Sequence, residues 1–121
     1  METIDLEYTD IFDDNKVKKL SFSKHLINKK FKQESLFALL VDGKSMEPVI
    51  KDRTVIVTDL SQKELIHDAI YIIYYEDKMW VKKCDLTNNT FVSINPNFSH
   101  LVYDITQTHI VGRVLLSFTN L

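Results

Sequence analysis

The sequence predicts a mainly β fold, and three observations support this prediction. From residue 36 onward, short runs rich in Val, Ile, Tyr and Phe alternate with polar clusters, a pattern typical of strands separated by turns. The chain has 121 residues, of which 45% are hydrophobic, so one domain with a buried core accounts for its length. The sequence contains no internal repeat. We therefore expect one compact curled sheet or partial barrel, preceded by an extended amino-terminal arm.

Residues 1–35 are predicted to form the amino-terminal arm or linker, and residues 36–121 the folded domain. The arm is polar and charged, and its apolar residues follow no single period for long. A short helix is expected around residues 23–30, where Ser23 is suited to cap it, although a helix of this length needs packing to be stable. We expect no helix-turn-helix in the arm, because it is too short for three packed helices.

The domain is predicted to contain six strands joined mostly by polar turns. Glu76 and Asp77 leave room for a two-residue hairpin turn, although neither is the glycine that such a turn prefers. Residues 85–89 suit a turn, because Asp and Asn accept left-handed backbone angles and bond to their own backbone. The expected strands cover residues 36–41, 54–58, 69–75, 78–83, 90–94 and 109–118.

The chain has only two glycines, and each is predicted to have a local role. Gly43 directly follows a strand and comes two residues before Ser45, where the missing Cβ permits a sharp turn. Gly112 lies inside the last predicted strand, which indicates a bulge or a close packing contact.

Charge and cysteine content narrow the classes of function. The net charge is −2, whereas a free-standing nucleic-acid-binding domain normally carries an excess of positive charge. DNA contact is therefore expected only through a separate domain. Cys84 is the only cysteine, which excludes an internal disulfide and disfavours a cysteine-based zinc site. The four histidines lack metal-ligand spacing. We expect a cytoplasmic protein with no metal and no cofactor.

Membrane association is also not expected. The amino terminus is acidic and has no basic start followed by an apolar run, so it does not predict a signal peptide. No run reaches the roughly 18 consecutive apolar residues that a membrane-spanning helix needs.

The chemistry is predicted to centre on Ser45 and Lys82. Ser45 lies in a turn that leaves a strand through Gly43 and stops at Pro48, a setting that can expose a hydroxyl. Lys82 and Lys83 follow each other in a strand, so alternation sends one of them to each side of the sheet. Burial disfavours the charged form of lysine, and a neutral lysine can accept a serine proton. This is the Ser-Lys form of nucleophile activation, which needs no histidine.

At these residues the sequence resembles a known family. The segment 41–50 resembles the Gly-x-Ser-Met-x-Pro motif of the LexA and phage-repressor peptidases. The segment 81–83 is similar to their Val-Lys-Arg motif, whose first lysine is the base. The serine and the lysine are 37 residues apart, in keeping with LexA-type members. Further segments that match in the family's order are 55–59, 67–71, 93–96 and 110–114, so the resemblance extends over about residues 36–118.

The resemblance implies a fold of the LexA carboxy-terminal type and a function in transcriptional regulation. It implies that Ser45 is the nucleophile, that Lys82 is the general base, and that the backbone N–H groups of Ser45 and Met46 are the oxyanion donors. The reaction would be peptide-bond hydrolysis through an acyl-enzyme. The family also implies a homodimer, a repressor that binds DNA through a separate domain, and a role in the DNA damage response with a RecA-type filament as partner.

Departures from the family pattern leave alternatives open. Arg53 and Ala69 stand where the family has glycines. Self-cleaving members cut an Ala-Gly or Cys-Gly bond upstream of the serine, but Gly43 is the first glycine here, so that bond is absent from these residues. The alternatives are a stand-alone UmuD-like protein and a non-cleaving self-association module with a vestigial dyad. Signal peptidase shares the serine motif and the lysine base, but it needs a membrane anchor that this sequence does not show.

Overall fold

Residues 2–121, which the computed structural model describes, form a mainly β protein, as predicted. Four single turns of 3-10 helix lie between strands, at Lys24–Leu26, Gln33–Ser35, Pro96–Phe98 and Ile105–Gln107. The strands are β1 (Thr3–Asp10), β2 (Lys16–Ser23), β3 (Leu36–Leu40), β4 (Val55–Asp59), β5 (Ile70–Tyr75), β6 (Lys78–Asp85), β7 (Thr90–Val92), β8 (Val102–Asp104) and β9 (His109–Phe118). The six expected strands are present, and β1, β2 and β8 are additional.

The strands form two antiparallel sheets. β1 and β2 pair only with each other, and the remaining seven strands form a sheet in the order β3-β4-β9-β5-β6-β7-β8. The last strand of the chain thus lies between β4 and β5, where it joins the two halves of the sheet. The pairing of β9 shifts register twice, opposite Val57 and Thr58 and opposite Ile72 and Ile73. Such bulges bend a strand. The sheet is not closed into a barrel, since β3 and β8 are its edges.

The predicted turns are confirmed in detail. Glu76 and Asp77 have φ angles of 50° and 63°, so both accept the left-handed conformation that a two-residue type I′ turn requires. In the turn that follows β6, a carboxylate oxygen of Asp85 accepts hydrogen bonds from the backbone N–H groups of Thr87 and Asn88. Asn89 ends this turn with a φ of 56°. Acidic and amide side chains therefore provide the turns that glycine often provides.

Gly112 has both of the features that its position predicted. It lies beside the register shift between β5 and β9. A Cβ at this residue would lie 2.5 Å from the carbonyl oxygen of Asp59. Because the neighbouring atom belongs to the backbone, it cannot move aside as a flexible side chain would. The close approach of β4 and β9 therefore requires a glycine.

The amino-terminal arm takes the form of a β-hairpin. Ile4 of β1 and Phe22 of β2 are buried, and together with Ile27 they pack against Val57 of β4. The hydroxyl of Ser23 accepts a hydrogen bond from the N–H of the second residue after it, as expected of a cap, but the helix it begins is one turn long. The sequence signal for this hairpin was the alternation of polar and apolar residues along β1, which becomes an alternation of more exposed and more buried residues in the structure. The division of the chain at residue 35 stays a prediction.

The segment after the hairpin is held to the sheet by the buried carboxylate of Asp59. This carboxylate accepts hydrogen bonds from the backbone N–H groups of Lys32 and Ser61, at 3.1 Å and 2.9 Å, and from the Ser61 hydroxyl. Burial opposes its ionisation, but these hydrogen bonds outweigh that effect, and the pKa of Asp59 lies below its ordinary value of 3.8. The ionised carboxylate is therefore part of the folded structure.

We expect Asp59→Asn to lower the free energy of unfolding by about 2 kcal/mol at pH 7, since an amide accepts these hydrogen bonds less strongly than a carboxylate. The lowered pKa means that the wild-type advantage is complete above pH 3.8 and decreases as the pH falls through the folded-state pKa. Urea unfolding of both proteins at pH 7 and pH 3 measures this difference. Asp14→Asn, at an exposed turn residue, is the control. An equal loss at both pH values would contradict the prediction.

Candidate active site

The loop between β3 and β4 carries the serine of the predicted dyad, and its own polar groups shape it. The loop is closed at its base, where the Val41 N–H donates to the carbonyl oxygen of Thr54 at 2.8 Å. Gly43 has a φ of +127°, and its N–H donates to the carboxylate of Asp52 at 2.8 Å. The Asp52 N–H in turn donates to the carboxylate of Glu47 at 3.2 Å. These bonds hold the turn that Gly43 was predicted to make.

A second segment, which follows β7, binds the backbone carbonyl groups of Ser45 and of the residue before it. The N–H groups of Ile94 and Asn95 both donate to the carbonyl oxygen of Ser45, at 3.1 Å and 2.9 Å. The side-chain Nδ2 of Asn95 donates to the carbonyl oxygen of Lys44 at 2.9 Å, while its Oδ1 accepts from the N–H of Asn97 at 3.0 Å. Asn95 therefore links the serine loop to the helical turn that begins at Pro96.

Met46 anchors the same loop in the hydrophobic core. Its side chain is only 1% exposed and packs in a cluster with Ile50, Ile56 and Ile72. Ser45 precedes Met46 in the chain and is half-buried. Because the Met46 side chain is anchored in the core, it holds the hydroxyl of Ser45 near the surface.

The structure brings Lys82 to Ser45. Lys82 lies on β6 and is completely buried, whereas Lys83 points to the other side of the strand and forms an ion pair with Asp68 at 3.6 Å. Alternation along the strand thus separates the two lysines as predicted. The Nζ of Lys82 donates a hydrogen bond to the Oγ of Ser45 at 2.8 Å.

The surroundings of Lys82 favour its neutral form. Burial lowers the pKa of Lys82 from 10.5 to about 8. None of the ion pairs formed within residues 2–121 includes this lysine. With a pKa of about 8, roughly one lysine in ten is neutral at pH 7, compared with fewer than about one in a thousand for an ordinary lysine. Lys82 can therefore act as a base near neutral pH.

A cleft of about 350 Å³ opens beside the serine. It lies between the end of β3 and the beginning of β6, and most of its wall is apolar. The N–H groups of Ser45 and Met46 donate no hydrogen bond to another group within residues 2–121, and their role as oxyanion donors stays a prediction. The apolar residues lining the cleft include Leu39, Met79, Trp80, Phe98 and Leu101.

Around Arg53 and Ala69, where the family has glycines, the chain makes its turns with left-handed residues that carry side chains. Arg53 has a φ of 65°, and its guanidinium lies 4.1 Å from the ring centroid of Phe12 at the tip of the β1-β2 hairpin. Asp68, directly before Ala69, has a φ of 67°. Left-handed backbone costs a residue with a side chain about 1 kcal/mol. At Arg53, the cation-π contact with the hairpin offsets part of this cost.

Two contributors to the site were not predicted from the sequence. Trp80 lines the cleft, and the centroid of its ring lies 5.4 Å from the Nζ of Lys82. Its spacing of two residues from Lys82 on one strand was a usable signal, because it places both side chains on the same face. Asn95 was noted only as part of a motif. Its contact with Lys44 spans 51 residues, so no local pattern could reveal it.

The described residues show neither a metal cluster nor a membrane-spanning helix. Between residues 2 and 121, no group of three or more His, Cys, Asp or Glu side chains is placed to hold a metal ion. Within the same residues, no helix has the length and apolar character needed to cross a membrane.

A known family matches most of the chain. No curated protein matches the chain significantly. The sequence model of the peptidase S24-like family matches residues 3–115, which include the hairpin, the serine loop and the lysine strand. This match covers nearly the whole chain. The protein therefore belongs to the peptidase S24-like family, the family of the LexA, UmuD and phage-repressor carboxy-terminal domains.

Proposed function

We propose that this chain is a Ser-Lys peptidase domain that hydrolyses a peptide bond, with Ser45 as nucleophile and Lys82 as general base. One observation carries the proposal: a fully buried lysine, which has no ion-pair partner among residues 2–121, lies 2.8 Å from the hydroxyl of a serine at the wall of a cleft. A buried lysine that only stabilised the fold would be expected to pair with a carboxylate. A lysine with lowered pKa beside a serine is the arrangement that activates a nucleophile.

The proposed reaction has two stages. Neutral Lys82 accepts the hydroxyl proton while the Oγ of Ser45 bonds to the substrate carbonyl carbon, and the developing oxyanion binds the N–H groups of Ser45 and Met46. The lysine then gives its proton to the leaving amine as the carbon–nitrogen bond breaks, which leaves an ester on the serine. In the second stage, Lys82 takes a proton from water, the resulting hydroxide attacks the ester, and the serine regains its proton as the carboxylate product leaves.

We further propose that the domain regulates a LexA-like or phage-repressor-like transcriptional regulator in the cytoplasm. The family supports a regulator of this type. The free and buried thiol of Cys84 is compatible with a reducing compartment. Residues 1–42 contain no glycine, so the substrate bond is not the usual Ala-Gly or Cys-Gly bond of this segment. We place DNA binding in a separate domain, since the net charge of −2 does not suit a DNA-binding surface.

The dyad predicts that the reactivity of the Ser45 hydroxyl depends on pH. We expect a fluorophosphonate probe to label Ser45 at a rate that rises with pH through about 8 and then levels off, because only neutral Lys82 activates the hydroxyl. Lys82→Ala should slow labelling by about a hundredfold or more, and Ser45→Ala should abolish it. The rate is followed by intact-protein mass spectrometry, with peptide mapping of the labelled residue.

Lys83→Ala is the matched control, because it removes the neighbouring lysine on the opposite side of the strand. Its labelling rate should equal that of the wild type at every pH. Wild-type labelling no faster than that of Lys82→Ala across the pH range would rule out the lysine as base.

Asn95 is expected to support the nucleophile without taking part in proton transfer. Asn95→Ser keeps an oxygen that can cap the turn at Asn97 but cannot reach the carbonyl oxygen of Lys44. We expect labelling of Ser45 to slow by about tenfold, with its pH midpoint unchanged, because the serine is less well positioned while Lys82 is untouched. Asn97→Ser, at an exposed neighbour, is the control. A changed midpoint would argue against a purely positional effect.

A second candidate function is a non-cleaving module that associates with itself, and the missing Ala-Gly or Cys-Gly bond favours it. Both candidate functions predict a homodimer. Sedimentation of wild type and of Ser45→Ala over a concentration series should show the same dimer, since association does not need the nucleophile. A protein that remains monomeric at the highest concentration would contradict the self-association candidate.

A further inference from the structure

Trp80 and Lys82 share one face of β6, because they are two residues apart on the strand. The Nζ of Lys82 lies 5.4 Å from the centroid of the Trp80 ring, within the roughly 6 Å at which a cation is attracted to an aromatic face. The same Nζ donates to the Oγ of Ser45 at 2.8 Å. The charged form of the lysine therefore has two neighbours that can stabilise it, a hydroxyl and an indole.

Among the residues that the structure describes, no other group near the lysine supplies a compensating charge. Across the strand pair, Tyr71 of β5 lies opposite Lys82, but its hydroxyl donates to the carbonyl oxygen of Glu64 and accepts from the N–H of Ile66. Cys84 follows on the same face of β6, and burial raises the pKa of its thiol, so it is neutral near pH 7.

The serine loop supplies no ion-pair partner either. The carboxylates of Glu47 and Asp52 accept hydrogen bonds from the loop backbone and form no ion pair with the lysine. The loop cation nearest the serine in sequence, Lys44, is exposed. Burial disfavours the ammonium form of Lys82, and the two neighbours that oppose this effect are the hydroxyl of Ser45 and the indole of Trp80.

The ring of Trp80 is held in place by aromatic packing. It lies 5.6 Å from the ring of Tyr103, which in turn lies 4.6 Å from the ring of Tyr75. The indole Nε1 is buried and has no hydrogen-bond partner within residues 2–121. Because no hydrogen bond determines the position of the indole, its position follows from the packing of its ring.

We propose that Trp80 is a positioning residue for the dyad, in that its ring face binds the charged form of Lys82 and thereby sets the pH at which this lysine becomes a base. The contact between Lys82 and Trp80 is observed in the structure, while its effect on catalysis rests on the proposed peptidase function. A ring that only shielded the lysine from water would have the opposite effect on its titration, because shielding disfavours the ammonium.

Two substitutions separate these roles. Trp80→Leu keeps an apolar cover over Lys82 but removes the aromatic face, and Trp80→Phe keeps a weaker aromatic face. The titration of Lys82 is followed by NMR of protein labelled with ¹³C at the lysine side chains, and the Lys82→Ala spectrum identifies the signal. We expect the Lys82 pKa to fall by about one unit in Trp80→Leu and by less in Trp80→Phe. Tyr74→Leu, an exposed aromatic residue of β5, is the control and should leave the titration unchanged.

An unchanged or raised Lys82 pKa in folded Trp80→Leu overturns the proposal. If that variant does not fold, Trp80→Phe decides, since it removes a buried donor that lacks a partner and should retain stability. A lowered pKa in Trp80→Phe supports the proposal, and no change overturns it. Fluorophosphonate labelling at pH 7 should rise about fivefold in Trp80→Leu, because the neutral fraction of Lys82 rises from about a tenth to about a half, and should stay unchanged above pH 10. A lowered pKa with no labelling in any variant supports the role of Trp80 and contradicts the peptidase function.

Discussion

A completely buried lysine needs a partner for its ammonium group, and in this protein the partner is the hydroxyl of Ser45 rather than a carboxylate. Removing an ammonium from water is costly, so the group shifts toward its neutral form when no opposite charge is near. The pKa of about 8 at Lys82 expresses this balance. The chemistry of the site therefore depends on two features of the fold. It keeps water and carboxylates away from the Lys82 side chain, and it holds the Ser45 hydroxyl against the Lys82 amine.

The sheet topology brings these two groups together. The serine lies between β3 and β4, and the lysine lies on β6, at opposite sides of β9 in the sheet. Because the last strand of the chain completes the sheet between β4 and β5, the dyad exists only when the carboxy-terminal strand has paired. Gly112 permits this pairing, since any larger residue would meet the backbone of Asp59. A glycine far from the dyad in sequence is thus a condition for its geometry.

Polar contacts hold the serine loop in its conformation. Asp52 accepts from Gly43, and Asn95 holds the carbonyl oxygen of Lys44, so the loop is held from within and from the segment after β7. Arg53 adopts a left-handed conformation at the end of the loop and contacts Phe12 of the hairpin. The amino-terminal hairpin therefore packs on the sheet through its apolar residues and on the serine loop through this contact.

The sequence by itself determined the fold class and the two hairpin turns of β5-β6 and β6-β7, because alternation and turn chemistry are local properties. It pointed to the pair Ser45 and Lys82 through motifs that resemble those of a known family. It did not predict that the β1-β2 hairpin packs on the sheet. Strands rich in Asp and Lys bury one face only where another part of the protein covers it, and here β4 does so. Tertiary structure alone decided that Lys82 is completely buried without a carboxylate partner in residues 2–121, that Asn95 holds the serine loop, and that the Trp80 ring centroid lies 5.4 Å from the Lys82 Nζ. The physical reason is the same in each case: burial, hydrogen bonding and cation-π attraction depend on distances between residues that only folding brings together.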